Sequence, residues 1–466
     1  MTRDADVLSV PDDPWEGMLD ENGDVVEPPD DDATSVTRAE RASADPDDFW
    51  QARPILKHIH AFARSQRVGP WAVLGTALAR VIAQTPPEIQ LPPTIGSYAS
   101  LNLFVGLVGE SGDGKDAAQE VAADALYIEN PTFRVAPLGS GEGLAHMFMR
   151  PGKATKDDPY PEAEQYNRSS LVTIGEIDSL AALVQRQSST VTTQLRQAAM
   201  GQQLGFFYAD AAKRMMVPPH SYRLCLVAGI QPERSGILLN DEAGGTPQRF
   251  IWLPTGDPGA QRSVPPAPTP MIWQPPDWMY AERAHSNGQM RRLVTLPEIV
   301  RDMIIDARVS RLQGTGEKLN SHALLTRAKV AAAFMILDGR YRPEETDWDL
   351  SGTVMTVSDT QRARCQRALQ TEAKKANLGK ALADADRTLV VEEHIDRVKV
   401  TKCSESVKRI LRINGAVTSG VLRQKLHVSN REYMDAAVDV LHLAGEIQVE
   451  ETEYRGQKGK RIWLPE

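Results

Sequence analysis

The sequence predicts an α/β protein whose central sheet is made of parallel strands, and three apolar runs predict that sheet. The first run, Phe104–Val108, is followed by a glycine-rich turn and a helical pattern from Asp116 onward. The second, residues 171–174, ends in acidic residues, and the third, residues 224–228, ends just before Gln231. Short continuous apolar runs separated by helical segments are typical of strands buried on both faces of a parallel sheet.

The turn after the first run, GESGDGK, matches the phosphate-binding pattern GxxxxGK[ST] at Gly109, Gly114 and Lys115. In such a loop the glycines, here including Gly112, let backbone N–H groups close on phosphates, and the lysine reaches the β/γ oxygens. Asp116 stands where a Ser or Thr hydroxyl normally meets Mg²⁺. The pattern predicts a site for ATP and Mg²⁺, and a glycine turn that binds nothing is the alternative.

The second run continues into TIGEID, which resembles a strand that carries a metal-ordering carboxylate and a catalytic one. Gly175 occupies the position of the metal-ordering Asp, and Glu176 matches the catalytic glutamate. Asp178 is a further candidate metal ligand. We hypothesise that Asp116 supplies the carboxylate that Gly175 lacks. The alternative is a weakened site, because a carboxylate repels a triphosphate unless a cation lies between them.

Two further polar residues fit the chemistry of phosphoryl transfer. Gln231 follows the third run, where a side chain can touch the γ-phosphate or the attacking water, the role called sensor 1; it can also be a plain turn residue. Arg249 lies between a glycine-rich turn and the apolar run FIWLP. An arginine so presented can reach a neighbouring subunit's γ-phosphate, which contributes about 10³-fold or more to the rate. An ion-paired surface arginine is the alternative.

The composition excludes several classes of protein. Residues 1 to 48 hold 16 acidic and three basic side chains, so the rest of the 466-residue chain carries a formal charge of +4. Three distant cysteines in no CxxC spacing exclude a disulfide framework and a zinc ribbon. No run of 18 apolar residues indicates a membrane span, and the acidic start is unlike a signal peptide, so we expect a cytoplasmic protein.

A chain of this length is expected to form several domains. The last 70 residues read as three helices followed by two strands, the order of a winged helix-turn-helix. The helical segment before them fits a lid over the nucleotide, in which Arg327 or Lys329 is a candidate phosphate-sensing base or simply a solvated charge. The predicted segments are a disordered acidic tail (1–47), a helical cap (48–97), the nucleotide-binding core (98–258), a proline-rich linker (259–295), the helical lid (296–395) and the winged helix-turn-helix (396–466).

Basic residues in the predicted winged domain would contact DNA phosphates. Arg431 lies on the third helix of this prediction, which also carries three acidic residues. Those acids make the helix poor for reading DNA, and many winged helices bind proteins instead. The remaining candidates lie on the hairpin that follows: Arg455, Lys458, Lys460 and Arg461.

With these features in order, residues 48–380 resemble the AAA+/superfamily 3 helicase-like ATPases of phages, plasmids and integrated elements. More narrowly, the chain resembles the primase-helicase type ATPases common in actinobacteria and their phages. The resemblance is carried by GESGDGKD, GSGEG, TIGEID, YRLCLVAGIQPE, GGTPQRFIWLP and DWDLSGTVMTVSD. It implies a P-loop NTPase core of the AAA+/RecA-like type, assembled as a ring, usually a hexamer, with ATP between subunits.

The resemblance also implies a role for each candidate. Glu176 would be the catalytic base, Gln231 sensor 1, Arg249 the finger acting in trans and Arg327 sensor 2. Lys213 and Arg214 would lie on the turn of a hairpin, strands 206–208 and 215–217, that tracks single-stranded DNA through the pore. No primase domain is visible ahead of residue 48.

The sequence therefore predicts an ATP-driven motor acting on DNA, a helicase or a helicase loader of a mobile element. Two alternatives stay open. In the first, nucleotide binding serves only to assemble a DNA-binding initiator or regulator that has little turnover. In the second, the ATPase uses its winged domain to dock a partner protein.

Overall fold

The computed structural model describes residues 47–152, 162–185, 189–208, 214–241, 244–280, 291–315, 320–454 and 457–465. The chain divides into two compact units, Met1–Gln370 and Thr371–Glu466. The predicted acidic tail (except its last residue), Lys213 and Arg455 lie outside the described residues. Among the residues that are described, no helix is long and apolar enough to cross a membrane.

The first unit combines a parallel sheet with helices on both of its faces. Its strands are β1 (Ile89–Leu91), β2 (Ala99–Ser100), β3 (Phe104–Val108), β4 (Leu126–Ile128), β5 (Arg134–Pro137), β6 (Met149–Arg150), β7 (Glu164–Gln165), β8 (Ser169–Ile174), β9 (Arg223–Ile230), β10 (Phe250–Pro254), β11 (Met271–Trp273) and β12 (Arg292–Leu293). Its helices are α1 (Asp47–Gln51), α2 (Pro54–Ser65), α3 (Pro70–Gln84), α4 (Lys115–Ala125), α5 (Gly141–His146), α6 (Ile177–Val184), α7 (Val191–Met200), α8 (Gly236–Leu239), α9 (Glu298–Leu312), α10 (Asn320–Leu337) and the start of α11 (Glu345–Asn414).

The central sheet has five strands in the order β10-β3-β9-β8-β5, and every neighbouring pair is parallel. The three strands predicted from apolar runs are confirmed as β3, β8 and β9. Side chains alternate between the two faces: Val105 and Leu107 of β3 join one hydrophobic cluster, and Phe104 joins the other. Full burial of such a side chain contributes about 1.5–3 kcal/mol, so both helical layers stabilise the sheet.

Helix α3 forms a layer of the core itself. Its residues are almost all buried, and it packs on β3, β8, β9 and β10. Gly75 makes this close approach possible, because a Cβ there would lie 2.5 Å from the Leu253 Cδ1 atom. The sequence predicts a helical cap packed against the core here, and the buried residues of these helices share one hydrophobic cluster with the sheet.

The described parts of the proline-rich segment after β10 contain two short strands that pair with other strands of the first unit. Strand β11 pairs with β4, and β12 pairs with β1. The buried Trp273 indole donates to the Leu337 carbonyl at 2.9 Å. These pairings differ from the irregular linker expected from the proline content, because a proline-rich sequence can still supply short edge strands.

The second unit contains the end of α11, then β13 (Val417–Thr418), α12 (Ser419–Lys425), α13 (Met434–Leu443), β14 (Gln448–Tyr454) and β15 (Gln457–Trp463). Its antiparallel sheet has the order β13-β15-β14. The expected boundary at 395–396 falls inside α11, a 70-residue helix. The stretch around it contains no proline to end a helix.

Candidate functional site

The candidate site lies where three neighbouring strands end. Strands β3, β9 and β8 are adjacent and parallel, so their carboxyl ends meet at one edge of the sheet, where open α/β sheets bind ligands. The GESGDGK loop follows β3, Gln231 follows β9, and Gly175 and Glu176 follow β8. The topology thus gathers residues that are spread over more than 100 positions of the chain.

Glycines shape the loop at three points. Gly112 and Gly114 have φ angles of +87° and +73°, in the left-handed region that other residues rarely adopt. Gly109 is needed for space, because a Cβ there would lie 1.9 Å from the Thr255 hydroxyl oxygen. The loop is closed by Asp113, whose carboxylate accepts a hydrogen bond from the Glu110 amide at 2.7 Å.

Lys115 begins helix α4 and is buried, with 7% of its surface exposed. Its ammonium donates to the carbonyl oxygens of Gly109 at 3.1 Å and Glu110 at 2.6 Å. Its aliphatic part crosses Gly229 of β9, where a Cβ would lie 3.1 Å from the lysine Cδ. The first N–H groups of α4 have no partner within the helix, so the helix start adds donors beside the ammonium.

Asp116 and Gly175, the two positions that depart from the usual pattern, are neighbours. The Asp116 carboxylate oxygen Oδ1 lies 3.6 Å from the point where a Gly175 Cβ would be. Asp116 is exposed, on the first turn of α4, where a negative charge is favoured by the helix dipole. A carboxylate from the loop therefore reaches the space that a side chain on β8 would fill.

Glu176 and Gln231 are also brought together. The Gln231 amide Nε2 donates to the Glu176 carboxylate at 3.4 Å. Asp178 is turned to another partner, since its carboxylate pairs with the Arg234 guanidinium at 2.8 Å. No group of three or more His, Cys, Asp or Glu side chains in the described part of the chain could hold a metal ion by itself. Asp116 is thus better placed than Asp178 to meet an ion held by phosphates.

Arg249 lies at the opposite edge of the sheet. It directly precedes β10, which pairs in register with β3 so that Phe250 lies beside Phe104. A five-residue strand spans about 17 Å, so the guanidinium cannot meet a nucleotide in the loop of its own chain. It donates to the Gly244 carbonyl at 2.9 Å and contacts His322 Nε2 at 3.3 Å. Burial and the nearby Arg196 lower the pKa of Arg249.

Arg327 is also away from the loop, whereas Arg364 is close to it. Arg327 stacks 3.9 Å from the centre of the Trp348 ring and donates to that residue's carbonyl. Arg364, which the sequence analysis missed, pairs with loop residue Glu110 at 2.9 Å. Positions 348 and 364 of α11 are 16 residues apart, about 24 Å along a helix. The arginine near the loop is therefore Arg364.

Of the predicted DNA-contacting hairpin, the structure describes both flanks. Leu204 and Val217 form one antiparallel bridge, and residues 206–208 form no strand, in contrast to the prediction. The first flank carries Phe207, which is 74% exposed, and the Arg214 guanidinium of the second flank lies 4.3 Å from the centre of the Phe207 ring. Lys213 lies outside the described residues.

In the second unit, the described basic residues that were predicted to contact DNA already interact with neighbouring groups of the protein. Arg431 precedes α13, in contrast to the prediction, and donates to the carbonyls of Leu426 and Gln424. The register of the hairpin places an acid opposite each exposed base of β15: Glu453 opposite Lys458, Glu451 opposite Lys460 and Glu450 opposite Arg461. Opposite charges at such positions attract one another, so the hairpin has little net positive charge.

No protein-family model matches this chain, and no curated protein matches its sequence.

Proposed function

We propose that the first unit binds ATP with Mg²⁺ and hydrolyses it. The observation that carries the proposal is the convergence of Lys115, Asp116 and the Glu176–Gln231 pair at the carboxyl ends of three adjacent strands. The loop glycines and the start of α4 would cradle the phosphates, as in the P-loop NTPases that the sequence resembles.

The proposed chemistry assigns one task to each side chain. The Lys115 ammonium exchanges its carbonyl partners for β- and γ-phosphate oxygens. The Glu176 carboxylate accepts a proton from the water that attacks the γ-phosphorus, while Gln231 orients that water. Mg²⁺ usually keeps several waters and takes one or two protein carboxylates beside phosphates, a role that Asp116 fits. Arg364 would reach the phosphates once it leaves Glu110.

We further propose that turnover drives a ring-shaped motor on DNA, of the AAA+/superfamily 3 helicase-like type. Two observations support this. Arg249 lies too far from its own chain's loop and would act in trans, which needs an assembly with ATP between subunits. The exposed Phe207 beside Arg214 combines an aromatic ring with a cation, the pairing that binds single-stranded DNA by stacking and charge.

Nucleotide-driven assembly with little turnover is the second candidate. It is favoured by Gly175, which leaves β8 without its metal-ordering carboxylate, and by the Gly244 and Gly245 carbonyls, which already accept hydrogen bonds from the Arg249 Nη1 in its own subunit. The acids opposite Lys458 and Lys460 suit a protein partner better than DNA at the hairpin of the second unit.

ATP turnover with and without single-stranded DNA tests the proposal. We expect turnover that DNA stimulates, loss of ATP binding in Lys115→Ala, and loss of turnover with retained binding in Glu176→Gln. Removal of a general base costs about 10²–10⁴-fold. Binding without turnover in the unaltered chain would favour the assembly role, and turnover that persists in Glu176→Gln would exclude the proposed base.

A further inference from the structure

A second pocket of the first unit lies at the edge of the sheet opposite the phosphate loop. It is a cavity of about 330 Å³ between the segment 91–99, the end of α7, the residue His220 and helices α9 and α10. Ligand pockets commonly start at about 300 Å³. The cavity is therefore large enough for a small organic molecule, and the phosphate loop takes no part in it.

Most of the cavity wall is apolar. Leu91 comes from β1, Met200 from the end of α7, Ile304 from α9, and Leu324 and Ala328 from α10. Four separate elements thus contribute to one apolar surface. Such a surface favours a ligand with a hydrocarbon or aromatic body, because it gains free energy by leaving water.

The charged side chains of the wall are basic. Arg308 and Arg311 lie one turn apart on α9, and both line the cavity with His220 and His322; no Asp or Glu is among the described residues that line it. The acids of α9 are exposed and lie on its other face, at Glu298, Asp302 and Asp306. The helix therefore turns its cations to the cavity and its carboxylates to solvent.

The two histidines of the cavity wall also lie among positively charged side chains. Burial, followed by Arg249, Arg311 and Lys329, lowers the pKa of His322 to about 4. Burial, followed by Arg291 and Arg223, lowers the pKa of His220. The charged neighbours that lower both pKa values are all cations. Near pH 7 the histidines are neutral, so the arginines carry the positive charge of the cavity and the imidazoles are left to hydrogen-bond.

We propose that this cavity binds a small amphipathic carboxylate of the fatty-acid class. The hydrocarbon body would lie against Leu91, Ile304 and Leu324, and the carboxylate would meet the guanidinium groups of Arg308 and Arg311. A guanidinium matches a carboxylate with two parallel hydrogen bonds. The cavity is separate from the proposed nucleotide site, and this proposal does not depend on nucleotide binding.

Isothermal titration with octanoate and with 1-octanol, which share a hydrocarbon body, tests the proposal on the full chain. We expect octanoate to bind more tightly than octanol. The double substitution Arg308→Gln and Arg311→Gln should weaken octanoate roughly tenfold to 100-fold, the worth of one or two charge-assisted hydrogen bonds. The affinity for octanol should stay within about twofold, because the apolar wall is unchanged.

Two variants complete the test, with thermal unfolding as the check that each is folded. Arg301→Gln removes an arginine of the same helix that does not line the cavity, and it should leave octanoate binding unchanged. Ala307→Leu narrows the cavity and should weaken both ligands. The proposal is overturned if millimolar octanoate gives no binding heat at either of two well-separated temperatures, since the enthalpy of apolar burial changes with temperature. It is also overturned if octanoate and octanol bind equally, or if Arg301→Gln weakens octanoate as much as the double substitution.

Discussion

Lys115 at the carboxyl edge of the sheet and Lys329 at the amino edge have the same local arrangement. Each is buried, and each ammonium donates to two backbone carbonyls: Gly109 and Glu110 for Lys115, Asn102 and Ala199 for Lys329. The surroundings differ. The carbonyls around Lys115 belong to a glycine loop whose residues 110–113 are exposed, whereas those around Lys329 belong to two buried residues.

The difference suits the carboxyl edge to the nucleotide site that we propose and the amino edge to holding the fold together. An exposed loop can exchange its carbonyls for phosphate oxygens without opening the core. At the amino edge, Arg223 is fully buried and donates to the carbonyls of Thr85, Pro86 and Ile89. Those bonds join the start of β9 to the end of α3 and to β1, and a ligand could compete for them only by disrupting the core.

The largest expected effect is the loss of ATP turnover when Arg249 is substituted. Arg249 lies at the amino edge of its own sheet, yet in a ring it would contact the nucleotide bound at the carboxyl edge of the next subunit. We expect Arg249→Ala to lower ATP turnover about 10³-fold, with nucleotide binding by the isolated chain retained. Steady-state phosphate release measures the first quantity, and fluorescent-nucleotide titration measures the second.

Mixing variants tests the direction of that action. Arg249→Ala and Glu176→Gln are each expected to be inactive, but a mixture forms interfaces that combine an intact arginine with an intact glutamate. Partial recovery of turnover supports action in trans. No recovery in mixed assemblies, or an equal loss in the control Arg301→Ala, contradicts it.

Local sequence signals predicted the carboxyl edge well. The apolar runs gave β3, β8 and β9. The hypothesis that Asp116 supplies the carboxylate missing at Gly175 requires the two residues to be neighbours, and the structure places them side by side. Each of these inferences uses a motif of a few residues. The topology then needs only parallel strands to bring the motifs to one edge.

Contacts between distant segments could not be predicted in this way. The Arg364–Glu110 pair joins residues 254 positions apart, and the Thr255 hydroxyl bonds the Val108 carbonyl across 147 positions. Neither Arg364 nor Thr255 belongs to a recognisable motif. The same holds for Gly229, where a Cβ would lie 2.1 Å from the Gly175 carbonyl oxygen and 3.1 Å from the Lys115 Cδ, since a glycine in an apolar run carries no signal of what packs against it.

A smaller effect is expected at the carboxyl edge, on the Mg²⁺-dependent binding of ATP. If Asp116 supplies the carboxylate that Gly175 lacks, Asp116→Ala should weaken ATP binding in Mg²⁺ about tenfold, or about 1.4 kcal/mol, and should change binding in EDTA much less. Removing a carboxylate near phosphates would otherwise strengthen binding. Titrations in Mg²⁺ and in EDTA separate the two outcomes, with the exposed Asp302→Ala as control. Unchanged or tighter binding in Mg²⁺ would contradict the compensation.

The smallest expected effect concerns the amino edge and the pH dependence of stability. Burial, followed by Arg223 and Arg249, lowers the pKa of Lys329 to about 7, whereas an unfolded lysine titrates near 10.4. Between these values the unfolded chain holds a proton that the folded protein has released. The Lys329 contribution to the free energy of unfolding should therefore rise with pH, by about 1 kcal/mol from pH 7 to pH 8.

Urea unfolding at the two pH values measures this contribution as the difference between the unaltered protein and Lys329→Met. Both share every other titrating group, so the rise should be about 1 kcal/mol smaller in the variant. Lys57→Met, at an exposed position of α2, should keep the full rise. If Lys329→Met keeps it too, the lysine is already neutral at pH 7 or still charged at pH 8. In either case Lys329 would not contribute to the pH dependence of the free energy of unfolding between pH 7 and pH 8.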